Sequence, residues 1–447
     1  MQNNKRILRV VLALLLALPA AAWAQSSSLN TFSPYTFYGI GDFSTQGPGY
    51  MRSMGGAGIG LRNALKINYL NPASYSILKQ KTFLFNVEIE GNNTYSKTSA
   101  AKTSHNSFNV RDIALAFPIA RSLGIGISVT PMSSVGYRIE MRDTDPFFLA
   151  NNMDVLYNYT GEGNVTQAKL GFGILLTKRL SVGADMVYYH GRISRYFNTD
   201  ITSLLSNETF VNAHGTARES ISRLGANIGL QYDLIQSDKR VLTFGATYRP
   251  RTNLKPTTSR SIYSTSITSD KITDTTSKEN FSLPNTFTFG LSYQSVRLSL
   301  GLDYSMEQWN NVNTNDPMNG IEFKNNQYIK FGVQYIPNPM DVRHVLNRWS
   351  YRLGFRYNDY YMRINGHNVR DKAITLGVGI PIKVQGLSAV NVGVEFGQRG
   401  RTADGAMGTR QFRMIRENYI KLSIGLSLFG EDDWFKRFKY QYHRPPL

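Results

Sequence analysis

From about residue 82 onward the chain alternates apolar with small or polar residues over some eight to twelve positions, turns, and begins again. A period of two sends successive side chains to opposite faces of an extended backbone, so each segment reads as a strand with two unlike faces. In YIKLSIGLSLF, Ile420, Leu422, Ile424, Leu426 and Leu428 share one face, and Lys421, Ser423, Gly425 and Ser427 share the other. TFTFGLSYQ sets Phe287, Phe289, Leu291 and Tyr293 against Thr286, Thr288, Gly290 and Ser292. RLSLGLDYS sets Leu298, Leu300, Leu302 and Tyr304 against Ser299, Gly301, Asp303 and Ser305. Fourteen strands are expected, near 82–97, 107–118, 122–142, 165–177, 180–198, 219–235, 240–261, 285–295, 297–310, 326–337, 349–362, 369–384, 388–400 and 417–429.

The connections alternate in length. Tight turns lie around Lys178, Ser237 and Val296, and longer polar loops cover 143–164, 199–218, 262–284, 311–325 and 401–416. Short turns on one side and long loops on the other are what outer-membrane barrels have. A secreted sandwich or propeller would have to bury fourteen apolar faces. In lipid those faces need no partner, and closure removes the unsatisfied edges. The expected fold is therefore all-β: a transmembrane antiparallel β-barrel of about 14 strands, with Tyr near the strand ends as an aromatic girdle.

The first residues fit an exported protein. Lys5, Arg6 and Arg9 precede an apolar run over 10–18, and Ala22-Trp23-Ala24 supplies small residues for cleavage before Gln25. Residues 1–24 read as a signal peptide, too short in its apolar run to span a bilayer. Cysteine is absent. The formal charge is +19, or +16 without Lys5, Arg6 and Arg9. In an exported chain that excess points to anionic lipid head groups or lipopolysaccharide phosphates, or to basic residues lining a lumen, rather than to nucleic acid.

With the apolar face turned to lipid, the opposite face lines a lumen, and it is rich in glycine: Gly171, Gly173, Gly183, Gly229, Gly245, Gly290, Gly332 and Gly354 among others. Repeated glycine in strand interiors points to close approach of another backbone. The same face carries Asp185, Asp233, Asp303, Lys330, Arg352, Arg356, Glu395 and Lys421, read as ion pairs bracing a plug or, less economically, as an ion path. Residues 25–80 are the segment large enough to fill the lumen. The chain thus divides into a leader (1–24), an N-terminal hatch (25–80), the barrel (81–429) and a periplasmic tail (430–447) mixing Trp434, Phe435 and Phe438 with Lys436, Arg437 and Lys439.

The stretch 51–75 contains both Gly55, Gly56, Gly58 and Gly60 and the triplet Asn71-Pro72-Ala73. The glycines fail as a phosphate loop, because Leu61-Arg62-Asn63 follows where Gly-Lys-Ser/Thr is required and no βαβ unit surrounds them. A fourteen-stranded barrel preceded by a compact segment ending in Asn-Pro-Ala resembles the FadL/TodX family of outer-membrane transporters for hydrophobic compounds. SPYTFYGIGD (33–42), RSMGGAGIG (52–60) and INYLNPASY (67–75) are most similar to the branch found in Bacteroidota. The resemblance covers the mature chain in architecture and is specific across about 33–75. It implies that Asn71, Pro72 and Ala73 are the hatch motif and that the chain lies in the cell outer membrane, where the even strand count returns both termini to the short-turn, periplasmic side. It also implies passive uptake of a hydrophobic small molecule or lipid, past a rearranged hatch and out through a gap in the wall. Such a gap needs a kinked strand, and Pro131 and Gly136 in the third strand are the candidates. FadL-like barrels also serve in larger membrane machineries, so the alternative is a non-conducting subunit with membrane-protein partners.

Enzymatic readings find little to stand on. His105, His190, His214, His344, His367 and His443 show no metal-ligand spacing, and no zinc site is expected without Cys. His190, near Arg192 and Ser194, is the one candidate for lipid hydrolysis, and a residue near a strand's outer end reads better as an interface residue. No catalytic residue and no cofactor is expected.

Overall fold

The computed structural model describes residues 31–431 except 144, 204–209, 211, 265–270, 313–320, 365, 383–387 and 408–409; the leader and the tail beyond 431 lie outside the described residues. Fourteen of the seventeen strands in the main sheet form an antiparallel barrel. In chain order they are β1 (Thr82–Lys97), β2 (Lys102–Ala120), β3 (Leu123–Arg142), β4 (Met153–Leu175), β5 (Leu180–Ser203), β6 (Ala213–Gln236) and β7 (Arg240–Arg249). The second half comprises β8 (Thr286–Ser295), β9 (Leu298–Glu307), β10 (Asn326–Tyr335), β11 (Ser350–Asp359), β12 (Asp371–Pro381), β13 (Ala389–Met407) and β14 (Arg410–Glu431). Closure comes from β14 on β1, in register from Thr82 opposite Glu431 to Lys97 opposite Arg416.

The alternation read from the sequence is the alternation of exposure. Phe289, Leu291, Leu302, Ile420, Leu422 and Ile424 are 41–50% exposed. Their neighbours Thr288, Ser292, Asp303 and Ser305 are buried inward. An apolar outer face on a closed sheet is the lipid face of an outer-membrane barrel, and this chain is one. Tyr232, Tyr335 and Tyr351 stand exposed at the short-turn end, where an aromatic girdle belongs.

One expected strand ends early. The seventh stops at Arg249 instead of continuing to 261, with Pro250 following. Thr257–Ser264 pairs instead with Lys271–Lys278 and with the outer half of β6, Ala213 to Ser220, forming a hairpin where a plain loop over 262–284 was expected. Proline lacks the N–H needed to carry the ladder on. β4 and β6 also begin before their expected starts and β5 runs on to Ser203, so about half of each expected loop, 143–164 and 199–218, is strand.

Inside, residues 33–78 pack on the wall. Their backbone passes over inward glycines of successive strands: Ser53 meets Gly377 on β12, Gly55 meets Gly354 on β11 and Met54 meets Gly332 on β10. Ala57 then meets Gly301 on β9, Ile59 meets Gly290 and Gly245 on β8 and β7, and Asn71 to Ala73 meet Gly229 and Gly183 on β6 and β5. A Cβ on Gly183 would stand 2.5 Å from the Ala73 nitrogen. Glycine is the residue that allows such backbone contact. At the long-loop end a separate apolar core gathers Tyr35, Ile40, Val135, Tyr137, Ile193, Trp309 and Tyr361.

Candidate functional site

Thirteen seams of the wall are laddered along their length; the seam between β2 and β3 is not. Their pairing runs from Ala120 opposite Leu123 to Ile113 opposite Val129 and stops. Of the barrel strands, β3 continues to Arg142 paired only with β4, and β2 continues outward paired only with β1. The break begins at Pro131, where the register with β4 shifts between Pro131 and Ser133. Proline has no N–H to offer the neighbouring strand, and an extra residue at a bulge bends the strand away.

The N-terminal segment fills the gap. Asp42–Phe43 forms a two-residue strand on the free edge of β3, opposite Ser134 and Ser133. The Ser44 N–H donates to Met132 at 2.9 Å, and the Ser33 N–H donates to the Gly136 carbonyl at 2.8 Å. Gln46 donates to the Pro131 carbonyl at 2.9 Å and accepts from Thr130 at 3.1 Å and Gln167 at 2.6 Å. From the β2 side, Arg111 donates to the Ser44 hydroxyl at 3.3 Å and the Thr45 carbonyl at 3.0 Å. The Phe32 ring stacks on His105 of β2 at 4.7 Å. Residues 31–46 thus stitch together two strands that do not pair with each other.

Gly41 is where this stitching demands glycine. Its φ is +90°, and a Cβ would clash with the Ser134 carbonyl. Asp42 is tied inward by an ion pair to Arg399 at 2.8 Å.

Behind the seam lies a cavity of about 740 Å³. Val110, Ile113, Val129 and Pro131 form its seam side, while Lys169, Arg249, Lys330 and Lys421 face it from the lumen. The apolar core at the loop end and the packed segment at the turn end bound it above and below.

Residues 53–73 are held differently, by buried charge. Arg52 pairs with Glu88 at 2.5 Å, and Arg62 pairs with Asp233 while donating to Ser181 at 2.7 Å. Asp303 accepts the Gly58 N–H at 2.7 Å and the Ile59 N–H at 3.1 Å. The Asn71 amide donates to the Ile59 and Leu230 carbonyls, both at 3.0 Å, and its oxygen accepts the Ala73 N–H at 3.1 Å. Asn71 therefore caps the short 3-10 turn that Pro72 begins and also fixes it to β6. Gly55 lies against the β10 and β11 backbones, Gly60 against those of β7 and β8, and Gly56 against Thr45 and Lys330.

The remaining lumen residues divide. Arg356, Glu395 and Lys421 form one network, with Arg356 to Glu395 at 2.9 Å and Lys421 to Glu395 at 3.1 Å. Arg356 also donates to Thr45 at 2.6 Å. Asp185 accepts from Asn227 at 3.4 Å, whereas Arg352 bonds only the neutral oxygens of Gln334 and Asn391. Sequence reasoning passed over Arg52, Arg62, Arg111 and Asp42, although charges so isolated in a glycine-rich segment are the signal that would find the first two. His190 is exposed beside Tyr188, on the outward face of β5, away from the lumen. Among the described residues no three His, Asp or Glu are placed to hold a metal ion.

A family model described as BamG matches residues 5–441. No curated protein sequence matches the chain. Among solved structures, a Pseudomonas aeruginosa FadL homologue is similar at TM-score 0.59 and 12% identity, over 86% of this chain and 99% of that one. The CymD monoaromatic hydrocarbon channel is similar at TM-score 0.55 and 14% identity, over 86% and 98%. The P. putida toluene transporter TodX is similar at TM-score 0.54 and 15% identity, over 89% and 99%. At these identities the likeness is one of fold.

Proposed function

The chain belongs to the BamG family, and on that premise we propose that it passes hydrophobic small molecules sideways through the β2–β3 seam of a FadL-like outer-membrane barrel. The observation that carries the reading is the seam itself, unpaired beyond Val129 and backed by a cavity. An apolar solute gains by leaving water for lipid without crossing an aqueous channel, and a lateral gap is the route that allows it. The hydrocarbon channel and toluene transporter that share the fold lend the same solute class. Residues 42–46 are the gate on this reading, and the hatch motif Asn71-Pro72-Ala73 anchors the part that stays.

Val110→Trp with Val129→Trp fills the seam side of the cavity from two outward-facing positions. Indoles at these two positions narrow the route, and about a tenfold loss in uptake of a labelled monoaromatic compound is expected, equivalent to about 1.4 kcal/mol. Unchanged uptake by the folded variant counts against lateral passage.

A second reading, as a subunit of a larger outer-membrane assembly, has its own observation. The turn 336–349 is far longer than its neighbours and exposes Met340, Val342, Val345 and Leu346 at 52–72%. It is internally bonded: Asp341 accepts from Asn347 at 2.7 Å and from the N–H groups of Arg343 and His344, both at 2.9 Å. Those bonds, led by Asn347, hold the Asp341 carboxyl down at about 2. A preformed apolar knob on the short-turn side suits a protein partner. Met340→Glu with Leu346→Glu then releases co-purifying membrane proteins from a mild-detergent extract and leaves uptake intact.

A further inference from the structure

A second cavity, of about 220 Å³, lies near the short-turn end between residues 50–67 and the wall. Among the described residues its lining holds three cationic side chains, Lys66, Arg348 and Arg352, and no carboxylate. Lys66 and Arg352 share one aromatic ring: the ammonium sits 4.9 Å and the guanidinium carbon 5.9 Å from the Tyr50 centroid. Arg352 is 5% exposed, and its two bonded nitrogens reach only the amide oxygens of Gln334 and Asn391. Among the described residues its third nitrogen makes no hydrogen bond, and it lies over Gly379, where a Cβ would come within 2.5 Å. Lys66 has no ion pair or hydrogen bond among the described residues, and the buried Arg348 Nε has no partner.

Two like charges around one ring repel, and burial strips them of the water that would screen them. Elsewhere in this lumen Arg52, Arg62, Arg356 and Arg399 each meet a carboxylate at contact distance, whereas this trio has none in its lining and only Glu88, paired to Arg52, acts on Arg352 from farther off. Cations with unused donors, amides, hydroxyls and an apolar border are what an oxyanion on an amphiphile requires. Leu65, Ile67, Leu84, Phe85, Ile336 and Leu428 supply that border.

We propose that Lys66, Arg348 and Arg352 form a binding site for a phosphate group, borne by a phospholipid head group or present as free phosphate. The site lies apart from the seam cavity and does not depend on lateral transport.

The test uses the full mature chain in neutral detergent, with dihexanoyl-phosphatidylglycerol and inorganic phosphate as probes and calorimetry as readout. Saturable binding that weakens about tenfold in Lys66→Gln is the expected result, the loss of one charge-assisted contact. Phosphatidylglycerol binding much more tightly than phosphate identifies a lipid source; equal affinity identifies free phosphate. Arg352→Gln repeats the test, and if it fails to fold, Lys66→Gln alone decides, since among the described residues Lys66 makes only its contact with the Tyr50 ring. No saturable binding by the wild type, or binding that Lys66→Gln leaves unchanged, overturns the proposal.

Discussion

Two stretches of the N-terminal segment touch the same wall by different physics. Residues 53–73 lie backbone to backbone on inward glycines and are pinned by Arg62 to Asp233 and by Asp303 to two N–H groups. Residues 42–46 lie in an unpaired seam: Asp42 is ion-paired to Arg399, Arg111 and Arg356 donate to Ser44 and Thr45, and Gln46 at the end is held only by neutral groups, the Pro131 carbonyl, Thr130 and Gln167. Removing one member of a buried ion pair strands a charge, whereas a neutral hydrogen bond is worth little net once water can replace it. The first stretch is built to stay; the second is fixed at Asp42 by its ion pair and is loosest at Gln46, whose bonds cost little to exchange for water.

Breaking the fixed stretch has the largest effect. Arg62→Met leaves Asp233 buried without its cation and costs about 3–5 kcal/mol. The temperature at which the folded band disappears on a gel falls accordingly. Next, Gly183→Ala forces a methyl against the Ala73 backbone, for about 1–3 kcal/mol by the same measurement. Smallest is Gln46→Ala in the seam, about 1 kcal/mol of stability. Its sharper readout is uptake, which rises because the gate is loosened; equal stability losses at Arg62 and Gln46 would erase the distinction between the two stretches.

Much of the architecture was legible because a barrel in lipid obeys a single local rule, alternation, over every strand. Ile420 to Leu428 announces its outward face without help from any distant residue. The inward glycines were legible for the same reason. Pro131 was legible as trouble for pairing, since the missing N–H is a local property. Long-range partners were not. Nothing near Arg62 in sequence names Asp233, and Asp42–Phe43 is too short to show any period, so the segment that closes the seam could not be read. The hairpin from Thr257 to Lys278 escaped because its partner, the outer half of β6, is set by tertiary contact.

The most direct test of the account exploits the absence of native cysteine. One pair, Asp42→Cys with Ser134→Cys, joins register neighbours and locks the seam segment to β3. The other, Ala57→Cys with Gly301→Cys, locks the fixed stretch, where a Cβ at 301 would lie 3.3 Å from that of Ala57. Uptake of a labelled monoaromatic compound is measured before and after oxidation. The account predicts that the first lock stops uptake, reversibly with reductant, while the second leaves it unchanged; uptake indifferent to the first lock, or stopped by the second, would contradict it.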